Sequence, residues 1–361
     1  MSNKSRAFYI YGVLADEKYM QRCLQLALLG QGNVAPNPMV GCVIVCGNEI
    51  IGEGYHKKLG SSHAEVEAMR SVADSTKLQS SVLYVNLEPC SHFGKTPPCA
   101  DLIVRCGIPE VVVGMTDPNV LVAGKGISRL REAGITVRQS DMEKECRFLN
   151  RRFVINHERN RPYIILKWAQ SLDGYMDIDR TTGVKGVHWI TGSQTKRIVH
   201  QWRSAESAVL VGAGTVRNDD PMLTVREIEG RQPLRIILDP GCRISPESHV
   251  LADGFNTMVI NEMKSEIVSG HLEYVQLSDM HENLSAIMDL IYQRNIASLI
   301  VEGGRHTIMQ FLEAGLYDEV RILKGSKELH GGLQAPKIEL GIIERFDSGH
   351  DQIIQFYNNF S

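Results

Sequence analysis

The sequence predicts a mixed α/β protein built of two domains. Three observations carry this. Short runs rich in Val, Ile and Leu, such as Leu234–Leu238 and Ser298–Val301, alternate with segments of helical periodicity. The alternation stops at a charged, polar stretch, Asn156-His157-Glu158-Arg159-Asn160-Arg161-Pro162, and restarts at Tyr163. The chain has 361 residues, 43% hydrophobic and 22% charged, enough for two cores. The boundary is placed to give domains 1–157 and 158–361.

In the first half, Met20, Cys23, Leu24, Ala27 and Leu28 recur at helical spacing. They predict a helix over 16–29, capped by Asp16 and ended by Gly30. Two prolines stiffen the loop Ala35-Pro36-Asn37-Pro38, which is either a plain turn or a holder of Asn37 toward a ligand. Strands over 40–46 and 49–55 flank Gly47-Asn48 as a hairpin, and His56 ends it. A helix over 63–72 follows, capped by Ser61 or Ser62. Strand 81–87, helix 99–105, strand 110–114, helix 126–133, strand 135–138 and a single helix 141–156 complete this half.

The second half opens with strand 163–168 and a long Gly- and Thr-rich loop reaching Val187. Ser193 caps a helix over 194–203. Strand 207–211 runs into Gly212-Ala213-Gly214-Thr215, where small residues let a phosphate or ribose approach the backbone. Strands 234–238 and 257–260, helix 284–294 and strand 298–301 follow. Glu302-Gly303-Gly304-Arg305-His306-Thr307 then opens a helix to 314. Strand, paired glycines and helix N-terminus form the arrangement that receives a pyrophosphate. The G-x-G-x-x-G fingerprint of a Rossmann fold is absent. Strand 318–323 is the last one predicted.

The formal charge of −3 gives no support for nucleic-acid binding. No apolar run approaches the ~20 residues that span a bilayer, and the first residues lack the apolar core of a signal peptide. Eight scattered cysteines form no compact disulfide framework. A cytoplasmic protein with reduced thiols is expected.

The chemistry concentrates between residues 61 and 99. His63, Cys90 and Cys99 offer one imidazole and two thiolates, a set that leaves a fourth tetrahedral position open, as in catalytic zinc sites. Cys99 also opens a helix, whose N-terminus favours thiolate. Glu65, two residues from His63, is the natural carrier of protons. The H-x-E motif followed by Pro-Cys and a second Cys resembles zinc deaminases of nucleobases, though eight residues rather than two separate the cysteines.

Longer segments narrow the resemblance. They are Ala35-Pro36-Asn37-Pro38-Met39-Val40-Gly41, the 88–99 segment Glu88-Pro89-Cys90 to Thr96-Pro97-Pro98-Cys99, and Val122-Ala123-Gly124-Lys125-Gly126. In the second half they are Lys167-Trp168-Ala169-Gln170-Ser171-Leu172-Asp173-Gly174, Val211-Gly212-Ala213-Gly214-Thr215, Asp219-Asp220-Pro221-Met222-Leu223-Thr224-Val225-Arg226 and Val301-Glu302-Gly303-Gly304. Over nearly its whole length the chain resembles the bifunctional riboflavin-biosynthesis deaminase–reductase family, in which the wide cysteine spacing is normal.

The resemblance implies a cytidine-deaminase-like three-layer α/β/α domain followed by a dihydrofolate-reductase-like α/β domain. It implies zinc-dependent deamination of a diaminopyrimidinone carrying a phosphoribosylamino group, then NADPH-dependent reduction of the ribosyl group to ribityl. Zinc would sit on His63, Cys90 and Cys99, with Glu65 catalytic and Asn37, His56, His92 and Lys95 holding the substrate. NADPH would meet Ala169, Trp189, Thr215, Asp219, Gly304, Arg305, His306, Thr307, Ile308, Met309 and Gln310. Lys167, Val187, Arg203, Leu223, Arg226 and Glu302 would face the second substrate, the two arginines serving its phosphate.

Val187 stands where the family leads one to expect a serine, the loop after Gly174 is long, and the stretch 324–336 departs from the family's glycine-rich form. The partner implied is a phosphorylated pyrimidine, with no nucleic acid and no membrane, and a homo-oligomer, dimer or tetramer, is expected. The competing readings are a nucleic-acid-editing deaminase, a deaminase with a degenerate second domain, and a structural zinc module, which would need a fourth protein ligand.

Overall fold

The computed structural model describes residues 15–91, 97–120, 122–181, 183–280, 283–338 and 343–358. The chain divides into two compact units, Met1–Glu158 and Arg159–Ser361.

The first unit contains α1 (Ala15–Leu28), β1 (Gly41–Cys46), β2 (Glu49–Tyr55), α2 (Ala64–Ser71), β3 (Ser81–Val85), α3 (Cys99–Cys106), β4 (Glu110–Val113), α4 (Lys125–Glu132), β5 (Thr136–Gln139), α5 (Glu143–Leu149) and α6 (Arg151–Arg159), whose last residue enters the second unit. The strands order as β2-β1-β3-β4-β5, antiparallel at β2/β1 and β1/β3 and parallel from β3 to β5. Side chains alternate across the sheet. Cys42, Ile44, Leu83, Val85, Val111 and Val113 pack with Ala64 and Ala68 of α2, Ile103 of α3 and Leu130 of α4. Val43, Val45, Tyr84 and Val112 pack with Met20 and Cys23 of α1, Cys146 of α5 and Val154 of α6. Helices on both faces make the three layers.

Three local expectations are corrected. The single helix over 141–156 is two helices broken at Asn150. The Asn150 amide brackets Met39, accepting from its N–H at 2.8 Å and donating to its carbonyl at 3.0 Å, as a strand partner would. His63 itself, in extended conformation, is the N-cap of α2, rather than Ser61 or Ser62. Asp16 lies within the first turn of α1, where it pairs with Arg138 and accepts from the Tyr84 hydroxyl at 2.7 Å.

The second unit contains β6 (Tyr163–Gln170), β7 (Tyr175–Asp177), α7 (Ser193–Ala205), β8 (Ala208–Gly212), α8 (Ala213–Asp219), β9 (Leu234–Leu238), α9 (His249–Ala252), β10 (Thr257–Asn261), β11 (Glu266–Ile267), β12 (Leu272–Gln276), α10 (Leu284–Gln293), β13 (Ser298–Val301), α11 (Arg305–Glu313), β14 (Glu319–Lys324), β15 (Leu333–Gln334), β16 (Ile343–Ser348) and β17 (Asp351–Tyr357). Ten strands order as β11-β12-β10-β9-β8-β13-β6-β14-β17-β16, and β7 pairs separately with β15. The run from β12 to β14 is parallel, closed by antiparallel β17 and β16. Its central strands are buried on both faces and mostly apolar, with Arg235 of β9 buried among them and paired with Asp253. The sequence reading missed α8 and the β16–β17 hairpin. The edge strand β16 is half charged, Ile-Glu-Arg-Phe-Asp-Ser, which hides the strand pattern. The expected Ser193 cap is also replaced: Gly192 caps α7, its N–H donating to Asp351 of β17 at 2.8 Å. No described helix is long and apolar enough to cross a membrane.

Candidate active sites

In the first unit His63, the N-cap of α2, meets Cys90, which follows β3, and Cys99, which opens α3. Their ligand atoms all lie within 4.8 Å of one another. His63 Nδ1 is 3.5 Å from Cys90 Sγ and 3.3 Å from Cys99 Sγ. Zinc–sulfur bonds of about 2.3 Å and zinc–nitrogen bonds of about 2.0 Å set adjacent donors roughly 3.5 Å apart, so the set fits zinc. Among the described residues no fourth His, Cys, Asp or Glu joins the cluster.

Glu65, in the first turn of α2, is 3% exposed. Burial pushes its carboxyl up to about 7, aided by the neighbouring Cys90 and opposed by His63. A carboxyl balanced near neutrality can both take and give a proton. A hydrogen bond from Cys99 and then His63 hold Cys90 down at about 4 against burial. Cys99 is pushed up by its bond to Cys90 and by burial.

His56 lies beside His63, ring centroids 5.8 Å apart. Its Nδ1 donates to the Ser62 carbonyl at 3.1 Å, which leaves Nε2 as an acceptor 3.4 Å from the Asn37 amide nitrogen. Burial lowers its pKa and keeps the ring neutral. The structure thus joins Asn37 and His56 beside the cysteine–histidine cluster. His92 and Lys95 lie outside the described residues.

The second unit holds a cleft of about 1030 Å³ at the C-terminal ends of β6, β8, β9 and β13, where open α/β sheets bind ligands. Ala169, Trp189, Thr215 and Asp219 line it, as do Gly304, Arg305, His306, Thr307, Met309 and Gln310. Ile308 does not: its side chain is fully buried in the core with Phe311. Gly303 is required by packing, because a Cβ there would lie 2.5 Å from Cβ of Val211. Gly304 has φ of +44° and leads directly into α11.

Lys167, Val187, Arg203, Leu223, Arg226 and Glu302 also line the cleft. Arg203 already has partners within the protein. Its Nε and Nη2 both donate to Glu302 at 2.7 Å, and Nη1 donates to the Thr224 carbonyl at 3.2 Å. Lys167 Nζ lies 3.1 Å from the same carboxylate. Burial would push the Glu302 carboxyl up, but Arg203 and Lys167 outweigh it and hold it well below the usual range. Arg226, by contrast, is exposed.

Side chains fix the backbone that carries Leu223 and Arg226. Arg235 donates to Met222 O at 3.0 Å, Gln232 brackets Val225 at 2.7 Å on both sides, and His200 Nδ1 accepts the Arg226 N–H at 3.2 Å. Leu223 itself has φ of +58°. Sequence reasoning missed His200 and Arg180. Arg180 pairs with Asp177 and with Asp219 at 2.8 Å, fastening the long 175–187 loop to α8. A lone Arg in a long loop carries no local signal; its partner is 39 positions away.

Two family models match the chain, the RibD C-terminal domain over residues 162–338 and the cytidine and deoxycytidylate deaminase zinc-binding region over 14–115. The riboflavin biosynthesis protein RibD of Aquifex aeolicus is 40% identical over 335 residues, covering 91% of this chain and 92% of that protein. This chain belongs to the RibD family. The RibD of Escherichia coli is 38% identical, covering 88% of this chain and 89% of its own. A crystal structure of a diaminohydroxyphosphoribosylaminopyrimidine deaminase/5-amino-6-(5-phosphoribosylamino)uracil reductase from Thermotoga maritima matches with TM-score 0.84 at 36% identity, covering 95% of this chain and 98% of that one. As a RibD-family member the chain is a bifunctional deaminase–reductase of riboflavin biosynthesis, with zinc as the cofactor of its cytidine-deaminase-like part and NADPH that of its dihydrofolate-reductase-like part. A degenerate second half is not favoured, since the RibD model runs through it and the cleft keeps Lys167, Arg203 and Glu302 together.

Proposed function

We propose that the first unit deaminates the diaminopyrimidinone ring of a phosphoribosylamino substrate and the second reduces the ribosyl group of the product. The cluster of His63, Cys90 and Cys99 beside buried Glu65 carries this reading. Zinc would be held by those three residues and would supply Lewis acidity for activating a water. Glu65 takes the proton of the attacking water and passes it to the exocyclic nitrogen, which leaves as ammonia while the ring carbon gains a carbonyl. Neutral His56 offers Nε2, and Asn37 its amide, to the ring's polar edge. His92 and Lys95 are proposed substrate contacts on the family resemblance alone.

NADPH, held in the cleft of the second unit, would supply a hydride for C1′. The segment Gly304–Gln310, Thr215, Asp219, Ala169 and Trp189 are proposed to hold the cofactor, with the N–H groups of α11 toward its phosphates. Lys167, hydrogen-bonded to Glu302, is positioned to hand a proton to the ring oxygen as the ribose opens. Arg226 takes the phosphate monoester, while Arg203 orients Glu302 and the 222–226 segment. Leu223 and Val187 supply apolar contact at the cleft wall. The substrate and cofactor roles rest on these placements and on family membership, as do the functional domains 1–157 and 158–361. A cytoplasmic location is proposed because all eight cysteines are free thiols, and a homo-oligomer, dimer or tetramer, is left to sedimentation.

Two separate assays test the reading. Glu65→Gln should retain zinc and abolish ammonia release, yet still oxidise NADPH when given the deaminated substrate. Ammonia release at the parent's rate would remove Glu65 from the chemistry, and no NADPH oxidation by the parent would remove the reductase.

A further inference from the structure

The segment Val122-Ala123-Gly124-Lys125-Gly126 is singled out by the sequence, yet the deamination chemistry leaves it without a role. Its backbone converges on one side chain. Glu88 is 4% exposed. Its Oε2 accepts the N–H groups of Asp117 at 3.1 Å and Gly124 at 3.0 Å, and its Oε1 those of Gly126 at 2.8 Å and Ile127 at 3.1 Å. All four bonds are charge-assisted. Helix α4 needs this acceptor: its cap residue Gly124 has no side chain, and Gly126 and Ile127 are the positions whose N–H groups a cap normally satisfies.

Gly126 completes the contact. A Cβ there would lie 1.9 Å from the Pro89 carbonyl oxygen, so the segment reaches Pro89 only because the residue is glycine. Glu88 and Pro89 lead directly into Cys90. The Glu88 N–H is tied to Met115 O at 2.9 Å, and Cys90 O accepts from Ala100 N–H at 3.1 Å. The turn that carries one sulfur is therefore gripped from both sides.

We infer that Glu88 is a positioning residue for the zinc site. By clamping the 117–127 segment it holds the Cys90 turn in the geometry that the metal requires before the metal binds. A donor on a loose turn must be ordered on binding, which lowers affinity; a pre-set donor need not be. The inference rests on the ligand set proposed above.

The experiment uses the full chain, stripped of zinc, with zinc affinity read by competition against a chromophoric chelator and metal-free melting read by circular dichroism. Glu88→Gln puts one uncharged oxygen and an NH₂ donor where two charged oxygens stand. Gly126→Ala pushes on Pro89 independently. Both are expected to weaken zinc binding by roughly 10–100-fold, the range seen when groups that orient a ligand are lost, to lower metal-free melting through the lost N–H acceptor and the crowded Pro89 carbonyl, and to lower melting of the zinc form further still, with NADPH binding by the second unit intact. Zinc affinity within twofold of the parent overturns the inference. So does a metal-free protein destabilised as much as the zinc form, since Glu88 would then serve folding alone. Cys90→Ser separates the two claims: if it binds zinc as tightly as the parent, the ligand set fails whatever Glu88 does.

Discussion

Arg203 and Glu302 lie side by side in the cleft of the second unit, joined by two hydrogen bonds of 2.7 Å, although 99 positions separate them. Their side chains are 11% and 4% exposed, so neither charge is tolerable alone. Glu302→Ala is expected to destabilise the second unit by about 3–5 kcal/mol, the range for a buried charge stripped of its partner. All three tryptophans, Trp168, Trp189 and Trp202, belong to this unit, so fluorescence during urea unfolding reports it selectively. The folded carboxyl is held below its unfolded value. The pair's contribution is therefore whole above about pH 4.3 and shrinks as pH falls from there. Glu302→Gln should abolish that acid-side loss. An equal loss in parent and variant would place its source elsewhere.

His200 supports Arg226 through an N–H bond that only a ring free of a proton at Nδ1 accepts. Burial, with Arg203 and Arg226 close by, lowers its pKa to about 4. The unfolded ring, near 6.5, binds more protons between these values, so stability is full above pH 6.5 and falls as pH drops toward 4. His200→Leu should leave the Arg226 N–H unanswered, cost about 1–3 kcal/mol, and raise KM for the phosphorylated substrate with kcat little changed. His200→Asn, whose oxygen replaces Nδ1, should restore KM and remove the acid-side loss. Unchanged KM in both variants would end this role for His200.

Gly303 separates the β13–α11 turn from β8. Gly303→Ala places a methyl group 2.5 Å from Cβ of Val211, and overpacking of this kind costs about 1–3 kcal/mol. Because the same turn opens α11, calorimetric titration should show weakened NADPH binding with zinc content unchanged. Parent-like NADPH affinity would place the cofactor away from this turn.

Asn150 interrupts the last helix of the first unit and holds both polar groups of the Met39 backbone. Asn150→Ala strands the Met39 N–H and should cost about 1–3 kcal/mol. Met39 also lies two residues from Asn37, so KM of deamination should rise while zinc affinity stays within a few-fold. An unaltered KM would mean that the Asn37 loop is held by its own prolines.

Much was legible along the chain. Strands Leu234–Leu238 and Ser298–Val301 were placed to the residue, because a strand buried on both faces is mostly apolar; the one buried charge in the first, Arg235, is paired with Asp253 at 2.6 Å. The cluster of His63, Cys90 and Cys99 was legible because metal ligation needs particular side chains, and no substitute leaves the same pattern. What the order of residues left open depends on partners distant in sequence. Asn150 was read as helix interior because its bonds go to Met39, 111 positions away. That Arg203 is paired with Glu302 was not legible, because nothing local announces a partner 99 positions away. Glu88 passed as a neighbour of Cys90 until the fold set four N–H groups of the 117–127 segment around it. Side-chain identity determined which chemistry the protein can hold. Folding decided which charged groups are already engaged with one another, since a carboxylate or guanidinium taken out of water must find its partner wherever the chain happens to bring one.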